Sequence, residues 1–162
     1  MLVVLVAFLG LAIDLGMLAI AYRSIYVAQV AMGANDTQTL KAILEAESYD
    51  GPSLIIAYSH CIAHGYDLRY GLEQQKKAVL SGQWPLYRFD PRAATATHSG
   101  FSLDCRPPSV ALEDYLYNET RYRILAQTRP DEARRLLALA RADVERRYRE
   151  YEQLASAGGR SV

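Results

Sequence analysis

The sequence predicts an α/β fold, a partial parallel sheet with crossover helices followed by a helical tail. Three observations carry this. Ser53 to Tyr58 is an apolar run without polar alternation, the pattern of a strand covered on both faces. A strand signal at Ser24–Val30 and a helical signal at Thr37–Ser48 precede it, at the spacing of a βαβ unit whose crossover should be right-handed. From Thr128 onward the pattern becomes that of one long helix.

Taken in order, Leu11 to Tyr22 favours helix through Leu, Met and Ala, with Asp14 interrupting an otherwise apolar start. Ile25, Tyr26, Val27 and Val30 give the first strand. Gly33 suits the turn that follows, and Asn35 or Asp36 can accept the orphan amides of the next helix. That helix should put Leu40, Ile43 and Leu44 on one face and stop at Asp50-Gly51-Pro52. A further helix is expected over Gly71–Leu80, with Leu72, Val79 and Leu80 as its apolar contacts and Gly82 ending it. Trp84 to Phe89 reads as a short strand, and residues 91–109 as a long loop. Leu112–Tyr117 is a short helical segment. Thr128, Pro130 and Asp131 start the last helix, which ends near Ala155 and carries Leu136, Leu137, Ala140, Val144, Tyr148 and Tyr151 on one stripe.

The chain has 162 residues, enough for one domain with a core, and no net formal charge. Residues 1–120 hold 12 acids and 8 bases, and residues 121–162 hold 6 and 10. The arginines of the last helix are too dispersed for a nucleic-acid stripe and read as a solvated face. Bulk charge points to neither a nucleic-acid nor a membrane partner. Two cysteines without a CxxC pair suit a reducing, cytoplasmic setting. Three readings compete for residues 1–22: a membrane or export segment, a buried element of the core, or a start in mid-domain. A spanning helix needs about 20 predominantly apolar residues, and this stretch is borderline.

Candidate chemistry concentrates in Gly51-Pro-Ser-Leu-Ile-Ile-Ala-Tyr-Ser-His-Cys-Ile-Ala-His-Gly65, where a strand ends at a thiol flanked by two histidines. In open parallel sheets the loops at the carboxyl ends of strands carry ligands, which places Ser59, His60, Cys61 and Met32 to Asn35 there. Cys61 fits an iron–sulfur or zinc ligand, a nucleophile paired with histidine, or an inert buried thiol. A zinc site of His60, Cys61 and His64 is geometrically strained, because Cys61 adjoins His60. A [4Fe-4S] centre takes four such ligands, and the chain offers Cys61 and Cys105 at most. Met32–Asp36 lacks a GxGxxG or GxxxxGK pattern, so a phosphate role there has only the helix start behind it. Twelve tyrosines read as packing surfaces with polar tips.

The same run, together with Ile25-Tyr-Val-Ala-Gln-Val-Ala-Met-Gly-Ala-Asn35, Thr39-Leu-Lys-Ala-Ile-Leu-Glu-Ala-Glu-Ser48, Trp84-Pro-Leu-Tyr-Arg-Phe89 and Asn118-Glu-Thr-Arg-Tyr122, resembles pyruvate:ferredoxin (flavodoxin) oxidoreductase. The resemblance runs from about Asp14 to about Ala155 and covers the last small portion of a much longer protein. It implies the thiamin diphosphate-binding fold. It also implies oxidative decarboxylation of pyruvate with coenzyme A to acetyl-CoA and carbon dioxide, using thiamine pyrophosphate and Mg2+. Electrons would pass through [4Fe-4S] clusters to ferredoxin or flavodoxin, in a homodimer. Cys61 matches the family's fourth ligand of the cluster nearest the thiamine, so Cys61 is the one cofactor and metal ligand expected here.

The resemblance divides the chain into an apolar leader at 1–13 unlike the family, the end of the thiamine pyrophosphate-binding domain at 14–90, a loop linker at 91–111 and a C-terminal helical region at 112–157. The family's Gly-Asp-Gly segment lies before the matched region, and Cys105 stands where relatives carry serine. No catalytic residue is therefore assigned, and the isolated chain is expected to be inactive. A truncated gene or displaced start fits the leader. The rival readings are a non-catalytic module docking onto an oxidoreductase complex through its helical tail, and a small membrane-tethered protein.

Overall fold

A computed structural model describes residues 2–6, 14–95 and 97–157, the first of these stretches as backbone alone. Five strands form one sheet in the order β1-β3-β2-β4-β5. They are β1 (Leu2–Val6), β2 (Tyr26–Val30), β3 (Ser53–Ala57), β4 (Tyr87–Thr95) and β5 (His98–Leu103). The helices are α1 (Leu15–Ala21), α2 (Asp36–Glu47), α3 (Gly71–Leu80), α4 (Leu112–Leu116), α5 (Thr120–Thr128) and α6 (Pro130–Ser156).

The expected βαβ unit is present. β2 and β3 pair in parallel from Tyr26 opposite Ser53 to Val30 opposite Ala57, with α2 between them in the chain. β1 adds to the other side of β3, also in parallel, from Leu2 opposite Ser53 to Val6 opposite Ala57. Part of the apolar start is thus a strand, while the reading of residues 7–13 lies outside the described residues. Among the described residues no helix is long and apolar enough to cross a membrane.

Beyond β2 the sheet turns antiparallel. β4 pairs with β2 and β5 with β4. The long loop expected over residues 91–109 is therefore a correction: the end of β4 and all of β5 occupy most of it. Its signal was hidden because the outward residues Arg92 to Thr95 are exposed and carry no apolar alternation. The pairing is held from the inward side, where Phe101 lies opposite Phe89 and both are buried. Pro91 falls within the register shift between Phe89 and Ala94, where a missing amide costs no ladder bond.

Helices cover both faces of the sheet. On one, Ala19 and Ile20 of α1 and Tyr151 of α6 pack with Val27, Tyr87, Phe89 and Phe101. On the other, Ala42 and Ala46 of α2 pack on Tyr26, Ala28, Val30 and Ile55. The strand alternation fits this, since Val27 faces one way and its neighbours Tyr26 and Ala28 the other. Asp14 caps α1 by accepting the Met17 amide at 2.9 Å and also accepts the Tyr151 hydroxyl, which joins the two helices of the first face. A third cluster joins α3, α4 and α6 through Ala78, Leu112, Tyr115, Leu116 and Val144.

The expected face of α2 is turned the other way, and that of α3 in part. On α2, Leu40 and Leu44 are 59% and 55% exposed, and the residues against the sheet are Gln38, Thr39, Ala42 and Ala46. The alanines let the helix lie close to the strands. Gln38 is satisfied there by donating to Asp104 at 3.0 Å and to the Gln29 carbonyl at 3.3 Å. On α3, Leu72 is exposed and Val79 and Leu80 are half-buried, while Gln74, Gln75 and Ala78 are buried. On α6 the buried residues are Ala133, Val144 and Tyr151, with Leu136 partly exposed. The separate helix α5 was not anticipated.

Under α2 an ion cluster crosses the sheet. Arg88 binds Glu45 at 2.7 Å and grips both oxygens of Asp104 at 2.7 and 2.8 Å, while the Tyr26 hydroxyl donates to Glu45 at 2.9 Å. Burial, reinforced by Glu45, pushes the Tyr26 phenol far above its ordinary pKa. Replacing Arg88 with Met strands two carboxylates, and the unfolding free energy from urea titration should fall by about 2–4 kcal/mol. In the same assay Phe89→Ala should cost about 3–5 kcal/mol, whereas Leu44→Ser should stay within about 0.5 kcal/mol of wild type.

Candidate cofactor-ligand loop at the sheet edge

Parallel pairing sends β2 and β3 out of the sheet on the same side. The chain leaves β2 through Met32–Asn35 and β3 through Tyr58–Cys61, so both loops predicted to carry ligands meet at one edge. The Val30 carbonyl fixes the exit by accepting the Tyr58 amide at 2.9 Å and the Trp84 indole at 3.0 Å. The Tyr58 ring stands edge-on to Trp84 and to His60, and its hydroxyl is 3.1 Å from that of Tyr115. Burial pushes the Tyr58 phenol up to about 12, so it stays protonated.

His60 is packed against α3. A Cβ on Gly71 would lie 2.8 Å from His60 Nε2, so a side chain there would displace the ring from the helix. Gln75 links the two loops: its Oε1 accepts the Gly33 amide at 2.8 Å, and its Nε2 lies 3.4 Å from His60 Nε2. Asn35 caps α2 by accepting the Gln38 amide at 2.9 Å. The Met32–Asp36 turn is thereby committed to structure.

Cys61 is half-buried and in extended conformation, and it opens a short 3₁₀ turn over Ile62–His64. The His64 amide donates to the Cys61 carbonyl at 3.0 Å. Gly65 closes the turn with φ +73°, a conformation that favours glycine. The turn rests on the head of α5: the Thr120 amide donates to the Gly65 carbonyl at 3.2 Å, and the Thr120 hydroxyl donates to the same oxygen. His64 Nδ1 lies 3.7 Å from Glu119, a fully buried carboxylate that also accepts from Gln74 at 3.1 Å and from Arg121 at 2.6 Å.

His60, Cys61 and His64 are neighbours in sequence, yet their side chains do not converge. Among the described residues no group of three or more His, Cys, Asp or Glu could hold a metal ion. Cys105 is elsewhere, just past the end of β5, where its sulfur accepts the amide of Leu86, the residue before β4, at 3.4 Å and burial raises its thiol pKa. Both cysteines are free. Chemically, the edge presents one thiol on a fixed turn. Glu119, Thr120, Gln74 and Gln75 went unread as site residues. A buried glutamine inside a helix leaves no periodic signal, and Glu119 and Thr120 figured only within Asn118–Tyr122.

No protein-family model matches the chain. It is 48% identical over 143 residues to the pyruvate-flavodoxin oxidoreductase of Nostoc sp. and 53% identical over 142 residues to that of Rhodospirillum rubrum. It is 47% identical over 142 residues to the pyruvate:ferredoxin oxidoreductase of Moorella thermoacetica. Each match covers 88% of this chain and 12% of the relative, so the chain spans about an eighth of the length of these proteins.

Burial and the Arg121 charge lower the His64 pKa below its ordinary 6.5, against the pull of Glu119. The fold therefore holds His64 neutral. As pH falls below 6.5 the unfolded chain takes up a proton that the folded chain resists, so stability drops until folded His64 also protonates. Urea midpoints measured from pH about 7.5 to about 5.5 should fall less steeply in His64→Gln than in wild type.

Proposed function

This chain belongs to the pyruvate:ferredoxin (flavodoxin) oxidoreductase family, of whose relatives it spans about 12%, and we propose that it supplies the closing part of such an enzyme. On this reading the enzyme oxidatively decarboxylates pyruvate with coenzyme A, yielding acetyl-CoA, carbon dioxide and two electrons for ferredoxin or flavodoxin. Residues 14–90, together with the β4–β5 hairpin, form the end of the thiamine pyrophosphate-binding domain, and 112–157 form the C-terminal helical region. The working enzyme is a cytoplasmic homodimer, a setting that suits free thiols.

The observation that carries the proposal is the isolation of Cys61. One thiol stands on a turn fixed by α5, at the carboxyl edge of a parallel sheet, and among the described residues no group of three or more His, Cys, Asp or Glu forms a metal site around it. A thiolate is the donor that an iron–sulfur cluster needs, and one thiolate is a quarter of the usual set. The residues present thus fit one ligand of a [4Fe-4S] cluster whose remaining ligands come from other polypeptide. Once bound, the cluster and thiamine pyrophosphate supply electron transfer and carbanion stabilisation respectively, chemistry that side chains lack. The part of this chain is to hold the ligand in place and, through the aromatic packing of Tyr58 and Trp84 behind the loop, to limit water on that side. By itself it is inactive.

The exposed apolar residues support burial in a larger assembly. Ile62 beside Cys61 is 80% exposed, Met32 and Leu72 at the same edge are exposed, and so is the outer stripe of α2.

Anaerobic assembly of the full chain with the remaining portion of the Rhodospirillum rubrum enzyme tests the proposal. Wild-type chain should restore iron content, the electron paramagnetic signal of the cluster and pyruvate-dependent reduction of flavodoxin. Cys61→Ala should restore folding contacts but leave one cluster's iron missing, and Cys105→Ser should behave as wild type. Full iron content with Cys61→Ala would refute the ligand assignment.

A further inference from the structure

We propose that Glu119 is a positioning residue whose buried carboxylate clasps the Cys61 turn to α3 and α5. The direction of the Cys61 thiol is then set from the C-terminal helical region as well as from β3. The purpose of the clasp rests on the reading of Cys61 as a cluster ligand; its geometry does not.

Glu119 is 0% exposed. A carboxylate is kept in such a place only when partners replace the water it has lost. Two partners donate to it, the His64 ring lies beside it beyond hydrogen-bond reach, and the carboxylate acts on the turn through its neighbour Thr120. Gln74 of α3 donates at 3.1 Å, Arg121 of α5 donates at 2.6 Å, and His64 of the Cys61 turn lies at 3.7 Å. Gln74 is itself held, since its amide nitrogen also donates to the Tyr115 carbonyl at 3.1 Å and its oxygen accepts from Asn118 at 3.0 Å. The carboxylate therefore sits where α3, the α4–α5 junction and the ligand turn meet.

Apolar packing does not hold the turn. Ile62 is 80% exposed, and Ala63 and Gly65 face solvent. Within the turn are two hydrogen bonds, from the His64 amide to Cys61 and from the Gly65 amide to Ile62 at 3.1 Å. The tie next to Glu119 is Thr120, whose amide and hydroxyl both reach the Gly65 carbonyl. A Cβ on Gly65 would stand 2.7 Å from that of Thr120, so the two backbones are in close contact. A thiol that joins a centre completed by another polypeptide gains from being aimed beforehand, because ordering it on assembly would weaken the union.

Hydrogen exchange on the full chain tests this. Glu119→Gln keeps the shape and removes the charge. Exchange of the His64 and Gly65 amides should speed up roughly tenfold, while β2 and β3 amides keep their wild-type rates. Iodoacetamide should alkylate Cys61 faster in the variant, with Cys105 unchanged as the internal reference. Thr120→Val, a milder change at the turn, should move the same amides in the same direction and serves if Glu119→Gln does not fold. Unchanged exchange at His64 and Gly65 would overturn the proposal, and so would an equal rise across the sheet. These readouts report the clasp whether or not Cys61 binds iron, so failure here is distinct from failure of the ligand assignment.

Discussion

The parallel register of β2 and β3 governs where everything else in this molecule can be. It brings the ends of two strands to one edge and leaves the Val30 carbonyl free to accept both Tyr58 and Trp84. From that carbonyl the chain leaves toward α3, where Gly71 and Gln75 receive His60. Cys61 follows directly and is fixed three residues later by contacts with α5. A one-residue slip between the strands would turn the side chains of β3 to the opposite face and move the loop that follows.

The two sides of the sheet are held by different physics. The α1 and α6 side is an aromatic and aliphatic core, with Tyr87 stacked on Phe101 and Tyr151 edge-on to Tyr87. The α2 side relies on small alanines and on Arg88 bridging Glu45 and Asp104. The Cys61 loop belongs to a third environment, lined by the buried polar residues Gln74, Gln75 and Glu119. Polar joints of this kind constrain direction as well as distance, which suits the proposed aiming of one side chain.

The strands and most helices were legible because their signals are local. Asn35 and Pro52 bound α2, Gly71–Leu80 is helical as read, and the apolar run Ser53–Tyr58 contains β3, an interior strand of the sheet. The position of Cys61 in a loop at the strand end was legible for the same reason. What escaped depends on partners far away in sequence. Leu40 and Leu44 looked like core because they follow the helical period, but the sheet takes the alanines and Gln38, whose bond to Asp104 spans 66 positions. The β5 half of the hairpin escaped because Phe101 alone among its large apolar residues is fully buried, facing Tyr87 and Phe89 of β4. Glu119 escaped because a lone glutamate reads as solvated until Gln74, His64 and Arg121 are seen around it.

The central claim is that the thiol at this sheet edge is a metal ligand completed from outside the chain. Anomalous diffraction at the iron absorption edge, from crystals of the chain assembled with the rest of a relative, addresses it most directly. The account predicts an iron peak within bonding reach of Cys61 Sγ and none at Cys105. A well-ordered Cys61 sulfur with no iron beside it, in crystals whose other clusters are occupied, would contradict it.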